Sequence, residues 1–444
     1  MTAPAEQFPA GTTLTKPCVF ASLRPSPKFL VPCLTYGDPE LAAQAIRVRP
    51  SGTAVMPGEP LVEPHPALRC IPLAPAQGTI GGLRTAQLLR GQDIPAVVLQ
   101  TAPHPLPLVE EQPVGDVVRR TREASFSDWI DRLRASALWN ARWTCPDLIE
   151  QLHRCLKRPV DNVICSVLDL DAALPVQALI ASTWAEDVVA GVVALTSLTG
   201  AGRAWVVIPD DLPSGCCNRL REAVRGTDLK LVPVQNRYPL AHPSLLLQSL
   251  TGRLVRFGNL PVEQGILLLD AAAARSAGRL FLRNAPTVEL PMGIFDQSTR
   301  RSHYVSAPIG TPLEYLLERV GVATTFSVLS AGTPLLQQLL SRECVVGGVS
   351  LTIYASPPIH EVNPEPCIRC GWCVEACPVQ IQPAALLEAA QSNDGQAAES
   401  YGLPACIECG ICTYVCPSYL PLLHGIRTLR TGSPQRNLND DTSR

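Results

Sequence analysis

Hydrophobic and polar positions follow three successive patterns along the chain. Up to about residue 95, short alternating runs such as Ala45-Ile-Arg-Val-Arg are broken by Pro and by glycines such as Gly78, Gly81 and Gly82. That pattern predicts a small β-rich unit with tight turns. A Pro-rich stretch over 101–113 is unsuited to helix or central strand and reads as a linker. Apolar runs then alternate with helical spacing. Residues 127–139 read as a helix behind a Ser/Asp cap, followed by strand-like runs at 163–168, 204–208, 229–234 and 265–269. Helical stretches at 184–199 and 215–225 lie between them, and such alternation predicts a parallel α/β layer. Over 287–321 the pattern returns to short β segments and ends in a helix, with Thr311 as cap, Pro312 at its first position and Gly321 as its stop. The Ala-rich stretch 383–401 favours helix again.

Length and composition narrow the class. A chain of 444 residues exceeds one ordinary core, and 46% hydrophobic with 17% charged residues supplies material for several. The formal net charge of −2, without blocks of like charge, gives nucleic-acid binding no electrostatic support. The first residues lack the charged and apolar regions of a secretory signal, and the longest uncharged apolar stretch, 188–202, is shorter than a membrane span. The expectation is a chain with no transmembrane segment of its own, in the cytoplasm. Seventeen cysteines, an odd number, point to reduced thiols and metal ligation rather than a disulfide framework.

Eight of these cysteines form a doubled motif: Cys367, Cys370, Cys373, Cys377-Pro378, then Cys406, Cys409, Cys412, Cys416-Pro417. Both copies read C-x2-C-x2-C-x3-C-P. Structural zinc is the bland alternative, but zinc sites are usually assembled from cysteine pairs rather than triplets with a distant fourth ligand. The run resembles that of bacterial two-cluster ferredoxins, in which the fourth cysteine of each run ligates the other cluster. By that resemblance Cys367, Cys370, Cys373 and Cys416 hold one [4Fe-4S] cluster, and Cys406, Cys409, Cys412 and Cys377 hold the other. Gly371 and Gly410 admit close backbone approach, and the two prolines turn the chain away. Arg369 and Glu408 occupy matching positions with opposite charge, a difference that would separate the two potentials.

The remaining cysteines, Cys18, Cys33, Cys70, Cys145, Cys155, Cys165, Cys216, Cys217 and Cys344, show no ligand grouping and read as small buried hydrophobes. The histidines are scattered, with no HExxH pairing. Catalytic zinc therefore lacks a motif, and no GxSxG, GxxxxGK[ST] or GxGxxG turn is present.

Beyond the cysteines, the chain resembles the C subunits of Rnf-type electron-transport complexes. Asn236-Arg-Tyr238-Pro239 is similar to that family's KYP segment, Ser249-Leu-Thr251-Gly252 to its LTG, and Ile309-Gly310-Thr311-Pro312 to its IGTP. The resemblance implies a multidomain α/β and α+β chain. Residues 1–100 would be a β-rich barrel-sandwich-hybrid-like domain, 101–125 a Pro-rich linker, 126–285 a Rossmann-like flavoprotein-type domain, 286–355 a β-grasp (SLBB-like) module, and 356–444 a helical dicluster ferredoxin domain.

One part of the family pattern is missing. The glycine-rich GLGGAGFP loop for flavin and NADH should follow Leu133-Arg-Ala-Ser136, yet residues 137–146 contain no glycine and place Trp139, Arg142 and Trp143 there. The acidic ECEPY stretch has become Leu168-Asp-Leu-Asp171-Ala. Bulky side chains at that position would keep phosphate away from the backbone. The leading expectation is an electron carrier with two [4Fe-4S] clusters and without FMN or NADH. It would pass electrons between a redox-protein donor and acceptor, in a membrane-bound complex, peripheral on the cytoplasmic face of the inner membrane. A flavin-dependent NADH-oxidising protein of the same complex and a cluster-stabilised docking scaffold are the alternatives.

Overall fold

The structure, a computed structural model, describes residues 20–36, 43–89, 93–102, 116–136, 142–143, 145–170, 174–256, 258–322, 328–332, 335–336, 338–347, 350–358 and 362–432. Residues 103–115, Trp139, Asp171, Cys18, His104 and His360 lie outside that set. The described residues divide into two compact units. The larger is drawn from Met1–Pro243, Leu260–Thr333 and Gln337–Pro358, the smaller from Ser244–Asn259, Pro334–Leu336 and Ile359–Arg444.

The larger unit is mixed α/β and contains three sheets. In a five-stranded sheet, Gly78–Leu88 pairs antiparallel with Asp93–Thr101, which pairs with Lys28–Pro32. The register shift between Ile80 and Gly82, where Gly82 has φ 118, bends the long strand. A six-stranded sheet is built around the antiparallel pair Glu289–Asp296 and Arg301–Pro308. Each sheet borrows an edge from a distant part of the chain: Cys344–Val345 joins the first and Ala21–Ser22 the second. The helix after this pair runs Leu313–Val320 with Pro312 at its cap position, and Gly321 ends it at φ 77. Thr311, predicted as the cap, instead donates its hydroxyl to the Pro308 carbonyl at 2.7 Å.

The third sheet is parallel throughout, in the order Lys230–Val234, Arg203–Pro209, Asn162–Ser166, Ile266–Asp270. Its two central strands are rich in Val and Ile because helices cover both faces, as parallel strands require. Two of those helices, Ala185–Thr199 and Ala271–Arg283, cross with their backbones in contact. A Cβ added to Gly278 would fall 1.7 Å from the Asp187 carbonyl oxygen, and one on Gly191 would fall 2.0 Å from that of Ala274. Among the described residues no single helix is long and apolar enough to cross a membrane. Val176–Thr183 and Ala185–Thr199 reach that length only together, across a 93° bend.

The smaller unit contains a structural repeat. Short helices Trp372–Glu375 and Ile411–Tyr414 each start from a left-handed glycine, Gly371 at φ 81 and Gly410 at φ 79. Each is followed by a longer helix, Pro383–Ser392 or Leu422–Gly432, and these two pack against each other. The repeat extends to the backbone of the loops: Arg369 and Glu408 are left-handed at φ 56 and 55, as are Gln380 and Tyr419, both at φ 53. Ile381, Leu386, Leu422 and Ile426 form the core between the copies.

Candidate metal centre

The cysteines of the doubled motif are assembled by the two short helices and the loops leading into them. Cys377, Cys406, Cys409 and Cys412 line one small cavity together with Ile407, Leu423 and Ile426. Cys377 therefore leaves its own run and joins the first three cysteines of the other. Their electrostatics agree. Burial first, then the neighbouring Cys409, Cys406 and Cys377, pushes the Cys412 thiol up to about 12. Burial, and after it Cys406 and Cys377, pushes Cys409 up to about 11, although the Ile411 backbone N–H pulls it back. Among the described residues no three His, Cys, Asp or Glu close on a point as a single metal ion requires. Thiols spread around a cavity are instead the donor set of an iron–sulfur cluster, whose irons take thiolate ligands. Buried neutral thiols must lose their protons to ligate, so binding releases protons.

Cys370, Cys373 and Cys416 also lie close enough to influence one another. Burial raises the Cys373 thiol, opposed by the Ala384 backbone N–H and reinforced by Cys370 and Cys416. Glu365 donates its backbone N–H to the Ser418 carbonyl at 2.9 Å, and Ser418 Oγ donates to the Pro366 carbonyl at 3.0 Å. These bonds hold the segment before Cys367 alongside the segment after Cys416. The two sets differ in exposure: Cys406, Cys409 and Cys412 are buried, whereas Cys367 and Cys370 are exposed. The donor chemistry of both sets suits a [4Fe-4S] cluster.

The opposite charges of Arg369 and Glu408 acquire a different balance in three dimensions. Arg369 is exposed. Glu408 is paired twice, with Arg427 Nε at 3.0 Å and Arg430 Nη1 at 2.9 Å. Arg430 Nη2 also donates to the carbonyls of Leu403 and Cys406, at 3.0 and 2.6 Å. Two cations thus outweigh the one carboxylate beside the buried set. Both arginines lie about twenty residues downstream of Glu408, on the helix Leu422–Gly432, so no spacing within the motif signals them.

The parallel sheet offers a second place to look for a ligand. Its strand order reverses between Asn162–Ser166 and Ile266–Asp270, and doubly wound sheets bind nucleotides at the carboxyl ends of strands at such a reversal. Here the chain's own side chains occupy the place. Arg142 Nε and Nη2 each donate to Asp270 at 2.5 Å, and Gln177 Nε2 donates to the same carboxylate at 3.1 Å. Burial opposes the Arg142 charge, but the Asp270 carboxylate outweighs it and holds the guanidinium protonated.

Both helix N-termini facing that point are capped. Asp270 accepts the Ala273 N–H at 2.9 Å, and Asp169 accepts those of Gln177 and Ala178 at 2.8 and 3.0 Å. N–H groups that would otherwise receive a phosphate are already used. A carboxylate directly after the apolar run 266–269 and before an Ala-rich helix was the sequence signal for the Asp270 cap.

Residues 359–424, which contain both cysteine runs, match the family described as the 4Fe-4S dicluster domain. Over a wider span the chain is similar to the C subunits of Rnf-type complexes. It is 26% identical over 324 residues to the C subunit of the ion-translocating oxidoreductase complex of Pasteurella multocida, covering 72% of this chain and 38% of that protein. The C subunit of the same complex from Haemophilus influenzae is 25% identical, covering 85% and 46%. The C subunit of the proton-translocating ferredoxin:NAD(+) oxidoreductase complex of Clostridium ljungdahlii is 27% identical, covering 49% of each chain. The chain thus spans about half or less of the length of these relatives. Among solved structures, an NAD+-reducing [NiFe]-hydrogenase in the H2-reduced state aligns with a TM-score of 0.44 at 12% identity, covering 68% of this chain and 54% of that one.

Proposed function

We propose that this chain is an electron-relay subunit of a membrane-associated oxidoreductase complex, holding two [4Fe-4S] clusters and neither FMN nor NADH. One cluster is ligated by Cys367, Cys370, Cys373 and Cys416, the other by Cys406, Cys409, Cys412 and Cys377. The observation that carries this reading is the position of Cys377 among the second run's cysteines around one cavity. When bound, each cluster supplies one-electron redox chemistry. The chain's part is to set distance and potential. Cross-ligation ties the two sites into one rigid body, and backbone N–H groups such as that of Glu408, 3.4 Å from Cys406 Sγ, stabilise charge on sulfur.

The same reading gives the rest of the chain a supporting role. Residues 1–100 form a barrel-sandwich-hybrid-like domain, 126–285 a flavoprotein-like α/β domain without its cofactor, 286–355 a β-grasp module, and 356–444 the ferredoxin domain. The case against flavin is physical: the Arg142–Asp270 pair fills the sheet's reversal point, and Asp169 and Asp270 occupy the helix N-termini. Donor and acceptor are redox proteins on the cytoplasmic face of the membrane. Anaerobic purification with iron, sulfide and flavin analysis tests the reading. About eight irons, no flavin and no bleaching by NADH are expected; bound flavin with NADH bleaching would replace this reading with that of an NADH-oxidising protein.

A further inference from the structure

The two copies of the cysteine repeat carry exchanged charges. Their longer helices start at equivalent places after Cys377 and Cys416, at Pro383 and Leu422. On that alignment Glu408, Arg427 and Arg430 of the second copy correspond to Arg369, Glu388 and Gln391 of the first. The sign reverses at two positions, and at the third only the second copy has a cation. Arg369, Glu388 and Gln391 are all exposed. Their counterparts are joined, since Glu408 accepts from both Arg427 and Arg430.

Arg430 also reaches the backbone of the cysteine loop. Its Nη2 donates to the carbonyls of Leu403 and Cys406 while Nη1 holds Glu408, so one guanidinium ties three acceptors together. Glu408 in turn is left-handed, a conformation that a non-glycine residue keeps only where its surroundings hold it, and its backbone N–H donates to Cys406 Sγ at 3.4 Å. Arg430 thus acts on the sulfur through one intervening residue. The second site is also the closed one. Ile407 is 2% exposed against 66% for its equivalent Ile368, and a Cβ on Gly410 would fall 2.6 Å from the Leu335 carbonyl oxygen, whereas one on Gly371 would meet nothing within 4 Å.

We infer that Arg430 is a positioning residue for the buried site: it clamps the loop from Leu403 to Glu408 and supplies the fixed positive charge that lets this site accept an electron. This rests on the relay reading above, in which Cys406 is a cluster ligand. An electron that arrives adds one negative charge where burial disfavours charge, and a cation held by three acceptors beside Cys406 offsets that cost without having to reorganise. The exposed copy has no equivalent cation at Gln391, and water there can do the same work. The exchanged charges therefore compensate for unequal burial, which would otherwise push the two potentials of one relay apart.

The test uses the cluster-loaded full chain, with the midpoint of each cluster read by potentiometric EPR and the loss of iron to a chelator read by absorbance. Arg430→Gln should lower one midpoint only, cutting the reduced-to-oxidised ratio of that cluster at a fixed potential by at least about fivefold, and should speed iron release. Arg430→Lys keeps the charge but not the fork, so iron release should speed up while that ratio changes less than about twofold. If Arg430→Gln fails to load, Arg430→His replaces it: one midpoint should rise from about pH 8 to about pH 6 more than in the parent, as the imidazole gains its proton. Faster iron release in loaded Arg430→Gln with both midpoints unmoved would make Arg430 a packing residue and overturn the inference. So would equal shifts of both midpoints, a fall in Arg430→Lys as large as in Arg430→Gln, a pH response of Arg430→His equal to the parent's, or iron release at the parent's rate in the variants. A parent protein that binds no iron–sulfur cluster would overturn the relay reading instead.

Discussion

Arg142 donates two hydrogen bonds to the carboxylate of Asp270, each at 2.5 Å, with both side chains almost wholly out of water. The pair joins the segment before the first parallel strand to the end of the last one. It sits at the reversal point of the sheet, where Asp270 also caps the helix that follows.

Removing one partner should therefore be costly. Asp270→Ala leaves a buried guanidinium without its counter-charge and also uncaps the helix Ala271–Arg283. Such a loss destabilises by about 3–5 kcal/mol. An earlier midpoint in urea unfolding is the readout, and Arg142→Met combined with Asp270→Asn should recover part of it.

Cys377→Ala tests the cross-ligation directly. Because Cys377 lies with Cys406, Cys409 and Cys412, the substitution should abolish the buried cluster and leave the other, which keeps Cys416. Iron should fall from about eight to about four per chain, with one EPR signal surviving. Loss of the exposed cluster with retention of the buried one would instead mean that each run ligates its own cluster.

The helix crossing at Gly191 and Gly278 leaves no room for a methyl group. Gly278→Ala would drive a Cβ into the Asp187 carbonyl, so the helices must separate, and overpacking of this kind costs about 3 kcal/mol. Thermal unfolding should begin earlier, while cluster content per folded chain is unaffected.

Glu408→Gln should raise the potential of the buried cluster, because it removes the one negative charge and leaves Arg427 and Arg430 in place. One charge near a protein surface corresponds to about 1 kcal/mol, or tens of millivolts for one electron. Arg369→Glu, in an exposed loop, should shift the other cluster less and in the opposite direction. Potentiometric EPR titration of both variants measures the pair.

Thiol reactivity should follow burial. Burial pushes Cys33 up to about 12 and Cys155 up to about 11, so at pH 8 neither provides thiolate for alkylation. In cluster-free protein, iodoacetamide and mass spectrometry should find Cys367 and Cys370 labelled first. The raised values also set a pH dependence. Unfolded thiols ionise near 9, whereas these stay neutral in the folded chain, so their contribution is complete below pH 9 and is lost as pH rises toward 11 and 12.

Local chemistry is what the sequence by itself determined. The apolar runs identified the parallel strands to within a residue or two, since buried strands need continuous Val, Ile and Leu. The doubled cysteine spacing defined the metal chemistry because thiolate donors at two-residue gaps leave few alternatives. The absence of glycine from 137–146 is likewise legible in the sequence alone, and it is the basis for expecting no flavin there.

What only tertiary structure decided were relations between segments far apart in the chain. Asp270 is 128 residues from Arg142, so nothing local predicts that one neutralises the other. Ala21–Ser22 and Cys344–Val345 complete sheets otherwise built from remote strands, because an exposed sheet edge accepts whichever strand the fold brings to it. Two copies of one cysteine motif read alike in sequence, but Arg430 and Leu335 stand against only one of them. Burial and charge at each site are properties of the neighbours that the fold supplies, and the motif does not contain those neighbours.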